Sequence, residues 1–197
     1  QYGDVKIRFS PGEGDGLTFT QSVVGGSVPK NYFPAIEKGL LEAMQKGVLA
    51  GYPVVGLAAD LYDGSYHDVD SNELSFKMAA SLAYKAGLPL AKPVLLEPIG
   101  ELKVTIPDSV VGAVMGDINS KRRGTVLGSN PAEGKPGYTT IDAEVPKATM
   151  VEYTIDLRAM TQGKGSYSFY FVRYDEVPGS EAQKIIAEAK ANMSEED

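Results

Sequence analysis

The chain contains no cysteine and no tryptophan, and its 197 residues include one histidine, His67. Without cysteine there are no disulfides and no thiolate metal ligands, a composition that fits a cytoplasmic protein. With one histidine, a zinc site or a Ser-His-Asp arrangement would depend on His67 alone. No stretch approaches the roughly 20 consecutive apolar residues of a membrane span, so no membrane association is expected. No signal peptide is read at the start, because Val5-Lys6-Ile7-Arg8-Phe9 already alternates like a half-buried strand. The missing initiator methionine is read as the mark of a fragment or processed product.

Nucleotide motifs are also missing. Gly163-Lys164 is followed by Gly165, and Arg158 stands where a phosphate loop needs its first glycine. Gly12, Gly14 and Gly16 precede a strand rather than a helix, which rules out a dinucleotide fingerprint. No cofactor is therefore expected. Asp68-Val69-Asp70-Ser71-Asn72 opens like a calcium loop, but Glu73 replaces the required glycine. That segment is read as a helix cap, with Asp70 and Glu73 as a capping box.

Apolar content is 43% and net charge is −7, values of an ordinary folded protein rather than of one attracted to nucleic acid by its overall field. The acidity is not evenly spread: residues 1–93 and 94–178 each carry a net −2 and the tail 179–197 a net −3, so any RNA contact must be local. The length suits two small domains.

The pattern predicts a strand to Phe9, a mobile loop Pro11–Gly16, and a strand Leu17–Val24 pairing back as a hairpin. A helix follows, with Tyr32, Phe33, Ile36, Leu40, Leu41 and Met44 on its apolar face and Gly47 at its stop. Val54–Leu61 reads as a buried strand and Asp63–Asp70 as a loop. A second helix from about Ser71 carries the stripe Leu74, Met78, Leu82, Ala86. Pro89, Pro93 and Pro98 make Gly87–Gly100 a stiff connector and place a domain boundary there.

The second half reads as strand (Leu102, Val104, Ile106), helix (capped by Asp108; Val110, Val111, Val114, Met115, Ile118) and strand Thr125–Gly128. Strand Tyr138–Val145, helix (Met150, Val151, Ile155) and strand Tyr167–Asp175 complete it. That βαββαβ order is ferredoxin-like. Ser180–Met193 is an amphipathic helix capped by Ser180 and Gln183. The expectation is an α+β protein with a β-α-β domain at 1–93, a ferredoxin-like domain at 94–178, and a terminal helix at 179–197 packing back on the first.

His67 sits between Tyr66 and Asp68. Three readings stay open on residue types: a solvated loop histidine, a general base beside Asp68 or Asp70, or a stacking group for looped RNA with Tyr66 and Ser65. Lys121-Arg122-Arg123 is either an RNA-phosphate contact or a cationic last turn complementing a helix dipole. Lys164, flanked by glycines, can approach a backbone closely.

Several stretches together resemble the C-terminal part of bacterial elongation factor G. They are Gln1-Tyr2-Gly3, Val24-Gly25-Gly26 with Val28-Pro29, and the run Leu61-Tyr62-Asp63-Gly64-Ser65-Tyr66-His67-Asp68-Val69-Asp70-Ser71. Others are Pro93–Pro98, Gly116–Asn119, Arg122-Arg123-Gly124, Asp156-Leu157-Arg158 and Thr161-Gln162-Gly163. The resemblance implies the family's fourth and fifth domains, from a parent that is a GTPase. GTP and Mg²⁺ would belong to a GTPase domain outside this chain, which itself would not be an enzyme. It implies a monomer whose partners are the ribosome, tRNA and mRNA.

By position, the resemblance places Gly12, Glu13, Gly14, Asp15 and Gly16 with Asp63, Gly64, Ser65, Tyr66, His67 and Asp68 at the fourth domain's tip, in the decoding-site A site. It directs Lys121, Arg122, Arg123 and Lys164 toward large-subunit RNA near the GTPase-associated region. The acidic Glu13 and Asp15, Ala159-Met160 after Leu157-Arg158, Lys164 for arginine and Arg173 for histidine depart from the family's usual pattern. They suggest, as alternative, a recycling or rescue paralogue.

Overall fold

Strand β3 (Leu57–Ser65) lies in the middle of the first sheet, with β1 (Asp4–Pro11) antiparallel on one side and β2 (Leu17–Gln21) parallel on the other. The structure is a computed structural model that describes residues 1–196. The expected β1–β2 hairpin is corrected: β3 inserts between the two strands. Residues 12–16 must therefore cross two strand spacings, about 10 Å, which a two-residue turn cannot do. The second expectation corrected here is the strand boundary. β3 runs on through Asp63, Gly64 and Ser65, which pair with Lys6, Val5 and Asp4.

Alternation decides the buried face. Leu57, Ala59 and Leu61 point inward, beside half-buried Ile7, Phe9, Leu17 and Phe19. The register slips between Lys6 and Ile7, which leaves Tyr62 as the extra residue of a bulge. Arg8 lies over the Tyr62 ring at 4.2 Å.

Helices α1 (Phe33–Ala43) and α2 (Glu73–Gly87) cover the inward face. From α1 come Ile36 and Leu40, and from its C-cap Met44, as the spacing predicts, while Leu41 is exposed. On α2 the predicted stripe is wrong. Leu74, Met78 and Leu82 are more than half exposed, and Ala86 is exposed. The buried stripe is Phe76, Ala80 and Tyr84 at i, i+4, i+8, with Ser75 at its start. The predicted cap is wrong too. Asn72 caps α2, accepting from Ser75 N–H at 2.8 Å, while the Ser75 hydroxyl accepts from Asn72 N–H at 3.0 Å. Asp70 sits two residues too early to do this.

Residues 1–94 and helix α5 (Gly179–Glu196) form one compact unit, and Leu95–Pro178 forms the other. Ala182, Ile185, Ile186 and Ala189 of α5 are half-buried. Met193 lines a groove of about 750 Å³ with Leu74 and Met78 of α2 and Gly47–Leu49. Position 197, the last of the expected terminal-helix domain, lies outside the described residues.

The second unit holds β4 (Leu96–Pro107), α3 (Val111–Asn119), β5 (Thr125–Pro131), β6 (Tyr138–Pro146), α4 (Tyr153–Thr161) and β7 (Ser166–Glu176). Its antiparallel order β5-β6-β4-β7 is the split βαβ arrangement that the sequence order predicts. The molecule is α+β, with two sheet-containing domains. Leu102, Val104, Ile106, Ile141, Ala143 and Val145 meet Val114 and Ile118 of α3 and Tyr153 and Leu157 of α4.

Three local expectations fail in this unit. Leu96–Gly100 is strand rather than connector. Pro98 is tolerated because it pairs with β7 alone, beyond the β6 ladder that begins at Ile99. Asp108 does not cap α3 but accepts the Thr139 hydroxyl at 2.7 Å. Val151 and Ile155 are 72% and 65% exposed, because α4 starts at Tyr153 and turns Tyr153, Leu157 and Thr161 inward.

Candidate functional site

The antiparallel register of β1 and β3 sets the chain start beside the end of β3, opposite Ser65. Close packing there depends on two glycines. A Cβ on Gly3 would stand 2.8 Å from the Ser75 carbonyl oxygen, and one on Gly64 would collide with the Asp4 carbonyl. With both side chains absent, Tyr2 closes over the turn that follows β3.

The Tyr2 ring stacks on the His67 imidazole, centroids 3.8 Å apart and planes 5° from parallel. Tyr2 N–H donates to the Asp70 carbonyl at 2.9 Å. The Ser71 hydroxyl donates to the Tyr2 carbonyl at 2.7 Å and accepts the His67 N–H at 2.9 Å. The Tyr2 hydroxyl and Ser65 Oγ are 2.6 Å apart, and Ser65 donates to Asp4 at 3.0 Å. Asp70 and Ser71 N–H groups both donate to the His67 carbonyl, at 3.2 and 2.9 Å, closing the turn.

His67 remains 54% exposed at its side chain, with Nδ1 3.7 Å from an Asp70 carboxylate oxygen. Its Nε2 has no partner among the described residues. Tyr66 is 40% exposed and Val69 93%. Lys6 approaches Asp63 at 3.5 Å. The Asp63 carboxyl lies below the usual range, chiefly because Gly64 N–H donates to it, with Lys6 adding its charge.

General-base chemistry would need a nucleophile on the imidazole. The nearby hydroxyls of Ser65 and Ser71 donate to Asp4 and to the Tyr2 carbonyl instead. The arrangement presents a seated aromatic ring at the end of a sheet. That suits stacking and hydrogen bonding to a partner, rather than bond making.

The sequence-predicted residues do not all come together. Gly12–Gly16 lies at the opposite end of β3, where Gly12 N–H donates to the Gly56 carbonyl at 2.7 Å and Gly56 N–H to the Asp15 carbonyl at 3.2 Å. Eight residues of β3 separate this loop from Ser65, about 26 Å of strand. Gly12, Glu13, Gly14, Asp15 and Gly16 are thus corrected: they do not share a tip with His67. The resemblance by position places them with His67, but the insertion of β3 between β1 and β2 puts their loop at the other end of the sheet. Asp63, Gly64 and Ser65 are strand residues supporting the turn, and Tyr66, His67 and Asp68 form it.

Lys121, Arg122 and Arg123 follow α3 rather than ending it. Arg122 is 2% exposed and is corrected as an RNA contact. It donates to Asp117 at 3.2 Å, to Asp156, and to the carbonyls of Thr149 and Val151 at 2.7 and 3.3 Å. Its guanidinium also lies over Tyr153. Burial alone would lower its pKa, but the bonds to Asp156 and Asp117 raise it above the ordinary value. Arg123 grips Glu97 with two bonds of 2.9 and 3.0 Å. Lys121, with its side chain 62% exposed, pairs with Asp156 at 2.8 Å, and Lys164 is exposed just past α4.

Sequence reasoning omitted Tyr2 from the site. The signal was available: a chain start entering a strand antiparallel to β3 must finish beside the residues that follow β3.

Comparisons with known proteins agree over both units. The family model for elongation factor G, domain IV, matches residues 1–92, and that for the elongation factor G C-terminus matches residues 94–185. The chain is 47% identical over 198 residues to an elongation factor G-like protein of Thermotoga maritima, covering 100% of this chain and 29% of that protein. A crystal structure from Thermus thermophilus superposes with a TM-score of 0.84 at 46% identity, covering 97% of this chain and 28% of that one. The chain thus spans less than a third of the length of these relatives.

Proposed function

Because the chain belongs to the elongation factor G family, through that family's domain IV and C-terminus, we propose that it is the ribosome-contacting, non-catalytic portion of a translational GTPase that promotes tRNA–mRNA translocation. The first unit enters the A site of the small-subunit decoding centre with the Tyr66–Asp68 turn leading. Lys121 and Lys164 of the second unit face large-subunit RNA near the GTPase-associated region. GTP and Mg²⁺ are handled by a domain outside this chain, in the cytoplasm.

The observation that supports this reading is the seating of His67. Its ring is held by a stack, and its backbone by Ser71, yet half its side chain is open at the sheet's end. A side chain fixed in this way can meet an RNA partner with little further loss of rotamer freedom. The acidic surroundings, Asp68 and Asp70 among them, keep phosphates off and favour contacts to bases and sugars. Single-round translocation by the longer protein carrying this chain tests the proposal. His67→Ala is expected to slow translocation while leaving GTP hydrolysis intact, and a wild-type rate refutes the role of His67.

A second reading, a recycling or rescue factor that binds ribosomes without translocating, follows from the departures at Glu13, Asp15, Ala159-Met160, Lys164 and Arg173 from the family's usual pattern. Complementation of a translocase-depleted strain separates the two. Growth supports translocation, and failure with retained ribosome binding supports the alternative.

A further inference from the structure

We propose that Tyr2 is the positioning residue of this site: it acts through His67, setting the plane and the direction of the imidazole that meets the partner. The argument starts from the number of separate constraints one residue supplies. Its ring covers one face of His67 at 3.8 Å. Its N–H and carbonyl hold Asp70 and Ser71, the residues that close the turn. Its hydroxyl reaches Ser65 on the other side of the turn. The Ser71 hydroxyl links the two ends of this frame, since it bonds both the Tyr2 carbonyl and the His67 N–H.

No other ring contacts His67 among the described residues. Tyr66, its neighbour in sequence, is 40% exposed and makes no ring contact there. Among the described residues the imidazole's one ionic neighbour is the Asp70 carboxylate, at 3.7 Å, and Asp70 is itself placed by Tyr2 N–H. Remove the Tyr2 ring and the imidazole keeps its backbone but loses the surface that fixes its rotamer. A buried core residue would act on stability first. Tyr2 precedes β1, is half-buried, and lies outside the hydrophobic core, so its main effect falls on the ring it covers.

This inference rests on the reading of His67 as the group that meets RNA, and the experiment separates the two. His67 is the single histidine, so its imidazole protons are unambiguous in the proton NMR spectrum of the chain. Stacked under Tyr2 they are shifted upfield by the ring current. Tyr2→Phe keeps the ring and is expected to keep the shift, although the Ser65 contact goes. Tyr2→Leu is expected to return both imidazole protons to the positions of a free, solvated histidine, with the amide signals of Ala59 and Leu61 unmoved. Imidazole protons that lie at free-histidine positions in the wild-type chain, or that stay upfield in Tyr2→Leu, overturn the proposal. Should Tyr2→Leu unfold the first unit, nuclear Overhauser contacts between the two rings in the wild type decide, and their absence overturns it.

The functional arm uses the longer protein in single-round translocation. Tyr2→Leu is expected to lose as much rate as His67→Ala, the double variant no more than either, and Tyr2→Phe to stay near wild type. A further loss when Tyr2→Leu is added to His67→Ala shows Tyr2 acting otherwise and overturns the proposal. If His67→Ala is silent, the translocation reading fails, while the NMR outcome still decides what Tyr2 does to His67.

Discussion

Replacing Arg122 with alanine should cost the second unit more stability than any surface change. The guanidinium is 2% exposed and joins three pieces of chain. It bonds Asp117 on α3, Asp156 on α4, and the carbonyls of Thr149 and Val151 in the segment between β6 and α4. Truncation leaves the Asp117 carboxylate, 13% exposed, without its cation, and two carbonyls without a donor. Breaking a buried pair by removing one partner costs about 3–5 kcal/mol. For a unit of this size that corresponds to a fall in Tm of roughly 12 °C or more. Hydrogen exchange at β4 and β6 amides reads the second unit separately from the first. Lys121→Ala is the control, since its pair with Asp156 is exposed and worth less than about 1 kcal/mol. A loss below about 1 kcal/mol for Arg122→Ala would refute the reasoning and return Arg122 to the pool of surface cations.

Asn72→Ala removes the side-chain acceptor at the start of α2 and should destabilise the first unit by about 0.5–2 kcal/mol in urea unfolding, whereas Asp70→Ala should cost less. Phe76→Ala, in the core, should cost about 3–5 kcal/mol, while Leu82→Ala on the exposed stripe should stay within about 0.5 kcal/mol. The Asp156 carboxyl is held below its ordinary 3.8 by hydrogen bonds from Lys121 and Arg122. Its folded value is depressed, so its contribution is fully present above the unfolded pKa and is lost as pH falls below that value through the folded one. The second unit should therefore weaken in acid over that window, and Asp156→Asn should flatten this part of a stability-against-pH series.

Helix phase shows where sequence patterning succeeds and fails. On α1 and its C-cap, Ile36, Leu40 and Met44 are buried as the spacing predicts, while Leu41 is exposed. On α2 two apolar stripes compete, Leu74/Met78/Leu82 and Phe76/Ala80/Tyr84. Periodicity is the same for both, so only the sheet they face could choose. On α4 the expected phase rests on Met150 and Val151, which precede the helix.

By itself the sequence determined the α+β class, the βαββαβ order of the second unit and the run around His67, because these are carried by local alternation, turns and residue identity. Tertiary structure decided three things that no window of sequence contains. Insertion of β3 between β1 and β2 sent the Gly12–Gly16 loop to the far end of the sheet. Burial turned Arg122 from a candidate RNA contact into an internal clamp. Antiparallel pairing brought Tyr2 onto His67 across 65 positions of chain. Each is a choice of partner between distant segments, made by the packing of whole faces and not by the residues next door.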